Sequence, residues 1–513
     1  MAQAEVSNIP QVLFNRVVDE IQTTRVHTVQ LQPNSHSQAQ TRFILPKLGS
    51  VLDSDSTLRW RADWTAAATY NGGAAPNQYE VTLKPHVGKY NMIRNARFLV
   101  NGKLIFDSRS CGEFAHINSL SNDASYREEV SDFTDGANSG FLFDEPNQAN
   151  GWVQQTQINQ ARNLTVAALS TINSGYSAGV GTGDDALEVS INLKKLFFAL
   201  EGLQLPLSML NGNVEVIIDW NTTWDDCMLR WYQTGGAGDI PVADRVFTIE
   251  SPALILDYIV YNPEQHAALE EVVQRSGIVI PHRAYSLVER VLPADAVAGE
   301  KSSQIQLGMQ GKSLMKVAVA CKYANASTIA YNYNGNCRSD ALVGEKYNFL
   351  VNDLLIFDAD QDTDPEKAHN FSMYLENNLC SYPASWEKNT NYGVASAVTD
   401  RLSQTYTLTC KQPGPAVGFT QLSQPEILAA TGGFKDAITG SQSYISVDLA
   451  KYGRNSTDNP LNGLRCGASP MLLNIKRTVD GTARSQSAVS VKAFTQYLRV
   501  LDVRGGQVDV YDM

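Results

Sequence analysis

The sequence predicts an all-β chain built from two tandem copies of one sandwich domain. Three observations predict it: two-residue hydrophobic alternation in segment after segment, a sequence repeat at nearly half the chain length, and helical periodicity limited to short stretches. At 513 residues the chain is too long for one ordinary core. Its 43% hydrophobic content supports sizeable cores, and its 18% charged content falls below the usual ~25%. Ser, Thr, Asn, Gln and Gly make up the difference, as suits a β-rich protein with long loops.

In Thr57–Trp64, Leu58, Trp60, Ala62 and Trp64 share one face, with Thr57, Arg59, Arg61 and Asp63 on the other. Phe98–Asp107 reads as a hairpin, because Asn101-Gly102 accepts the positive φ angles of a type I′ turn. A short apolar-striped segment, Glu113–Leu120, follows it. Leu187–Leu193 alternates Leu187, Val189, Ile191 and Leu193 against Glu188, Ser190 and Asn192. Val214–Ile218, Leu254–Tyr261, Gln304–Met309 and Leu314–Ala320 are further strands of the same kind. Pro263–Arg275 carries the best helical signal. Asn262 can cap, Pro263 suits the first turn, Gln265 sits at a capping-box position, and Gly277 supplies a stop. Ala268, Leu269, Val272 and Val273 form its apolar stripe.

Phe98–Ser108 (FLVNGKLIFDS) and Phe349–Ala359 (FLVNDLLIFDA) are identical at eight of eleven positions, at an offset of 251. Ala115-His116 matches Ala368-His369 at an offset of 253. Val189–Leu193 matches Ile445–Leu449 at 256, with Lys195 against Lys451. Ordered matches at a near-constant offset point to two duplicated domains, since solenoid and propeller repeats have periods of ~20–50 residues. Strands are expected near 24–31, 57–65, 92–100, 103–107, 152–158, 187–193, 213–220 and 253–261. The second set is expected near 284–292, 313–321, 346–351, 354–358, 405–411, 443–449, 471–477 and 494–503. Eight strands per half, with few helices, suggest a jelly roll or a related sandwich, here in tandem as a double jelly roll. Long insertions fall at 66–90, 121–150, 159–186, 222–250 and 380–404, and loops of that length usually carry function or contacts.

The chain resembles the double jelly-roll major capsid proteins of tailless icosahedral double-stranded DNA viruses, a lineage that includes adenovirus hexon, virophages, polinton-like viruses and the large nucleocytoplasmic viruses. Its local texture also looks like the virophage and polinton-like branch. The run Ile93–Ile105 and Leu205–Leu210 before the strand Val214–Ile218 carry the resemblance. Asp353 stands where the first copy has Gly102, a departure within the second hairpin turn. The resemblance implies a structural, non-enzymatic role. Three chains would form a homotrimeric, pseudo-hexagonal capsomer of an icosahedral shell, with long loops outward and termini inward. It implies neighbouring capsomers, penton and minor capsid proteins and an internal membrane as partners, and the virion as location. Residues 1–22 would be an N-terminal arm, 23–262 the first roll, 263–277 a linking helix and 278–513 the second roll. Within 1–22, Ile9, Val12, Leu13, Val17 and Val18 suit either a docking helix or a frayed end.

The net charge of −12 argues against a chain that neutralises phosphates, so direct sequence-specific nucleic-acid binding is not expected. No window approaches ~18 consecutive apolar residues. Met1–Asp19 lacks the basic-then-apolar order of a secretory signal, so synthesis and assembly inside the host cell are expected. The seven cysteines, at 111, 227, 321, 337, 380, 410 and 466, form no CxxC pair and read as reduced thiols.

No catalytic, cofactor-binding or metal-binding residue is expected. Asp358, Asp360, Asp362 and Asp364 alternate like a calcium loop, but Thr363 and His369 stand where Gly and Glu belong. Gly311-Lys312-Ser313 lacks the first glycine of a phosphate loop, which would replace Gln306, and reads as a turn. Gly179, Gly181 and Gly183 precede a strand where a dinucleotide site needs a helix. His27, His36, His86, His116, His266, His282 and His369 show no metal spacing. Sequons occur at Asn163, Asn221, Asn325, Asn370 and Asn455, and without a secretory signal they read as chance. The alternative reading is a two-domain carbohydrate-binding or carbohydrate-active sandwich, in which Trp152, Trp224, Trp231, Tyr232 and Trp386 would stack on sugars.

Overall fold

The computed structural model describes residues 23–48, 51–52, 56–63, 78–83, 88–119, 186–197, 200, 205–234, 247–324, 339, 342–362, 366–367, 369–371, 374, 444–450 and 463–512. Eight strands of the first half are β1 (Thr23–Leu31), β2 (Gln40–Leu45), β3 (Thr57–Asp63), β4 (Ile93–Val100), β5 (Lys103–Arg109), β6 (Ala186–Asn192), β7 (Val214–Trp220) and β8 (Thr248–Tyr261). They pair antiparallel in two sheets, ordered β1-β8-β3-β6 and β2-β7-β4-β5.

The second half contributes β9 (Ile278–Leu292), β10 (Gly299–Gly308), β11 (Ser313–Tyr323), β12 (Lys346–Val351), β13 (Leu354–Leu355), β14 (Ile445–Asp448), β15 (Met471–Val479) and β16 (Val489–Arg504). Their sheets are ordered β9-β16-β11-β14 and β10-β15-β12-β13. Each half therefore puts its first, eighth, third and sixth strands in one sheet and its second, seventh, fourth and fifth in the other. That double Greek-key order is a jelly roll, and it occurs twice. β17 (Gln507–Asp512) extends the second roll by pairing with β16.

The alternation read from sequence is the burial pattern of these strands. Leu58, Trp60 and Ala62 are buried while Arg59 is exposed. Trp60 meets Trp220 of the facing sheet with ring centroids 5.3 Å apart, and Phe98 and Phe106 both meet Phe197 edge-on. The repeated segments fall on matching strands. Asn101 and Gly102 have φ of 50° and 75°, and Asn352 and Asp353 have 52° and 62°, so both β4–β5 and β12–β13 turn with two left-handed residues. Asp353 keeps the turn without glycine, and Ser469 Oγ donates to its carboxylate at 2.9 Å. Leu193 N–H donates to Ser56 C=O and Leu449 N–H to Met315 C=O, each at 2.8 Å, so the two β6/β14 exits also match.

Two expectations need correction. β2 and β10 complete the rolls but were absent from the expected sets of eight, although Gln304–Met309 caught part of β10. The strands expected near 152–158 and 405–411 lie outside the described residues, as do the arm 1–22, the insertions 121–150 and 380–404, and all of the insertion 159–186 but its last residue, which begins β6. The insertions 66–90 and 222–250 are not structureless: Gln78–Leu83 pairs antiparallel with Met228–Thr234.

α1 (Cys111–Ser119) follows β5. α2 (Pro263–Arg275) links β8 to β9, capped by Asn262 Oδ1, which accepts from Gln265 N–H at 2.9 Å. At its end Gly277 takes φ 75° and donates to Val272 C=O. Because neighbouring strands alternate in direction, connections that follow odd-numbered strands leave one end of each roll. The connections 64–92, 110–185, 221–247, 324–345 and 356–444 therefore all attach at that end. Short turns, 101–102, 309–312, 352–353 and 505–506, lie at the other, together with the connections 193–213 and 449–470. Asn211 joins the two rolls at this short-turn end, its N–H donating to Gly506 C=O at 2.6 Å and its side chain to Gly505 C=O at 3.0 Å.

Candidate assembly interface

The two rolls meet along a seam that uses the β5 edge and α1 of the first roll. Ser110, at φ 52°, turns the chain from β5 into α1, and its hydroxyl donates to Glu113 at 3.2 Å. The Glu113 side chain, 3% exposed, receives Lys322 Nζ at 3.1 Å and Lys492 Nζ at 2.9 Å, both from the second roll. One carboxylate between two ammonium groups compensates its own desolvation, which a single buried charge cannot do. The next residue, Phe114, stacks on Tyr285 at 3.9 Å and lies 5.5 Å from Phe494. Tyr285 Oη donates to Arg109 C=O at 2.8 Å. Such aromatic pairs add ~0.5–1.5 kcal/mol beyond their buried area.

Towards the short-turn end, Phe106 lies 6.1 Å from His282. Arg499 donates to Ile105 C=O at 3.4 Å and is held by Asp512 at 2.9 Å. Lys103 closes the seam on Asp509. Burial dominates the titration of this region. It lowers the His282 imidazole to about 4, helped by Arg499 and opposed by the Ile280 carbonyl and Asp512. It pushes the Tyr285 hydroxyl well above its ordinary value and, with Asp107 adding to it, the Cys111 thiol up as well. Cys111 is thus an inert buried thiol, and the seam is a clamp with no reactive group among these residues.

A cavity of about 540 Å³ opens beside the seam, with Arg94, Arg109 and Lys492 facing Asp226 and Glu289. Its charges are of both signs. The outer face of the first roll carries a second recess of about 320 Å³, lined by Gln30, Gln32, Arg59, Trp60, Arg61, Ser251 and Ala253. The β13 edge of the second roll is open, with Leu354 70% and Leu355 53% exposed. Ile105 and Phe106 are each 1% exposed within the seam, whereas their counterparts Ile356 and Phe357 are half-buried.

The residues weighed from sequence are dispersed. Asp360 is paired with Lys476 at 2.9 Å, Asp358 is exposed, and Asp364 lies outside the described residues. Among the described residues no group of three or more His, Cys, Asp or Glu is placed to hold a metal. Gly311-Lys312-Ser313 forms the β10–β11 turn, and Lys312 Nζ sits 4.0 Å over the Tyr497 ring. Gly179, Gly181, Gly183, Trp152 and Trp386 lie outside the described residues. Trp224 is buried, which removes it from any sugar-stacking surface. Asn221 is a buried sequon bonded to Asp226, and Asn370 donates to Tyr347 and Gln361. Cys111, Cys227, Cys321 and Cys466 are buried free thiols. Sequence reasoning missed Glu113 as the centre of the seam. Its partners lie 209 and 379 residues away, and no local pattern announces a pair at that separation.

No protein-family model matches the chain, and no curated protein does. Solved structures are similar to it along nearly their whole length. A Sputnik virophage structure matches with a TM-score of 0.49 at 10% identity, covering 97% of this chain and 90% of that one. The Faustovirus major capsid protein matches with a TM-score of 0.49 at 8% identity, over 95% and 92%. The mavirus major capsid protein matches with a TM-score of 0.44 at 13% identity, over 100% and 95%.

Proposed function

We propose that the chain is a viral major capsid protein whose homotrimer forms a pseudo-hexagonal tile of an icosahedral shell. One observation carries this reading: the seam inside the chain joins unlike surfaces, and the edge strand that docks in it has an exposed counterpart on the other roll. The β5 edge of the first roll docks on the face of the second, while the equivalent β13 edge exposes Leu354 and Leu355. A head-to-tail contact of this kind repeats until a ring closes. Three chains supply six rolls. The resemblance to double jelly-roll capsid proteins supports closure at that number.

The four longest connections, 64–92, 110–185, 221–247 and 356–444, attach at one end of the rolls, which suits a tile with an outer crown. The base would meet minor capsid proteins and an internal membrane, and the sides would meet neighbouring capsomers and the penton. Residues 1–22 act as an arm, and 23–262 and 278–513 as the two rolls about the linking segment 263–277. The virion is the place of function, after assembly inside the host cell. No reaction is assigned, and the −12 net charge keeps genome contact indirect. Light scattering on the purified chain tests the assembly. The expected species is near 169 kDa, three times 56.2 kDa, with a six-lobed outline by electron microscopy. A 56.2 kDa monomer at high concentration overturns the reading.

A further inference from the structure

The strand ladders locate the counterpart of His282, the histidine sealed in the seam. Ser190 and Ser446 align in the repeated segment, and Arg59 faces Ser190 and Ala253 as Ala318 faces Ser446 and Phe494. Followed along β8 and β16, this register sets Tyr258 at the position of Arg499. Across the next ladder Tyr258 faces His27 and Arg499 faces His282. His27 on β1 is therefore the counterpart of His282, at an offset of 255. His282 is buried with its ring 6.1 Å from that of Phe106. The offset of 251 sets Phe357 against Phe106 and Ile356 against Ile105. Both members of the buried pair thus recur as the same residue types. There they are half-buried, on edges left open at Thr28 and Gln30 and at Leu354 and Leu355.

We infer that His27 on the β1 edge of one copy of this chain packs against Phe357, beside the β13 edge of a second copy, as His282 packs against Phe106 within the chain. This inference rests on the head-to-tail assembly proposed above and names the contact that makes it. The seam shows what covers an edge of this kind. β5 of the first roll and the β9 side of the second cover each other, which leaves β13 and β1 as the matching pair in every copy. The contact between copies is apolar where the internal one is bracketed by ions. Leu354 stands where Lys103 does, and after Tyr261 the first roll runs into α2 instead of a returning strand like β17, which carries Asp509. Cation and carboxylate are lost together. Tyr258 replaces Arg499, and its hydroxyl donates to Pro46 C=O at 2.8 Å inside its own roll. At the α1 end the clamp does not recur, because Lys322 and Lys492 become Asp63 and Glu250, so the contact lies in the short-turn half of the seam. Docking there removes Leu354 and Leu355 from water, which is the driving force.

The test is cross-linking between copies. His27→Cys and Phe357→Cys chains are co-expressed and treated with a short bis-maleimide, with each single variant and the wild type as background. Cys111, Cys227, Cys321 and Cys466 are buried and out of reach of the reagent. The expected product is a covalent pair near 112 kDa, twice 56.2 kDa, in the mixture alone. If Phe357→Cys melts early by circular dichroism, Leu355→Cys on the exposed part of the same edge takes its place. Independently, His27→Asp sets a carboxylate against the ring and is expected to drop the light-scattering mass from about 169 kDa toward 56.2 kDa with melting unchanged. Linkage at background level in a species that keeps the larger mass, or a His27→Asp chain that keeps that mass, overturns this contact and leaves the capsid reading standing. A monomeric wild-type chain overturns both.

Discussion

The two rolls share one strand order and two left-handed hairpin turns, yet they differ wherever one is covered and the other is not. Ile105 and Phe106 are sealed in the seam, and Lys103 there is bonded to Asp509. At the same strand positions, the second roll has Leu354 exposed, with Ile356 and Phe357 half-buried. The difference teaches that duplication preserved what the interior dictates and released what the neighbour dictates. Packing between facing sheets constrains both copies alike. Surface chemistry answers to whatever roll stands next to it.

The largest effect that would break this comparison is expected from Phe114→Ala. It empties the stack between Tyr285 and Phe494, and large-to-small changes at buried aromatics cost about 3–5 kcal/mol. Urea unfolding should register the loss. Glu366→Ala, at the position that the offset of 253 sets against Glu113, should cost under ~1 kcal/mol, because the group is exposed and accepts a hydrogen bond from Asp362 N–H at 3.2 Å. Equal losses at the two sites would mean that the second copy of the docking element is also sealed within its own chain.

Acid sharpens the same contrast. The His282 imidazole titrates near 6.5 in the unfolded chain and near 4 in the fold, because burial disfavours its charged form. Between those values only the unfolded chain takes up the proton. Its contribution is therefore fully present above about pH 6.5 and is lost as pH falls toward 4, up to about 3 kcal/mol. Unfolding midpoints for wild type and His282→Phe across that window check it: the variant should lack this part of the acid loss.

Much of this was legible in the sequence, for physical reasons. Buried strands such as β3 and β15 alternate cleanly, and α2 carries its cap, its proline and its glycine stop. β10 was harder because it is an edge strand. Most of it is exposed and only Ile305 and Leu307 are buried, so its apolar signal is two residues long. β2 offers only Phe43, Ile44 and Leu45 as apolar residues beside Thr41 and Arg42. Glu113 was invisible because its lysines lie on distant strands.

Glu113→Gln should cost less than Phe114→Ala, about 2 kcal/mol. It keeps the shape but takes the carboxylate from Lys322 and Lys492, of which Lys492 keeps Glu289 at 3.5 Å, and both lysines are exposed enough, at 14% and 21%, to turn toward water. Urea unfolding measures this loss as well. If Glu113→Gln proves neutral, the seam is held by its rings alone.

The smallest effect is expected at the turns, where the two rolls agree in shape but not in chemistry. Gly102→Asp places a side chain at φ 75° with open space around its Cβ, so the cost is backbone strain alone, about 0.5–1 kcal/mol. The reciprocal Asp353→Gly relieves strain at φ 62° but removes the acceptor for Ser469 Oγ at 2.9 Å. Strain relief and a lost charge-assisted bond are of similar size, so this change should stay under ~0.5 kcal/mol in urea unfolding. Asp353→Gly combined with Ser469→Ala should then come out more stable than Ser469→Ala alone, because the partner that justified the aspartate is gone. If the double variant shows no gain, Asp353 is held by the turn itself, and the Ser469 contact is a consequence of the hairpin that adds nothing to it.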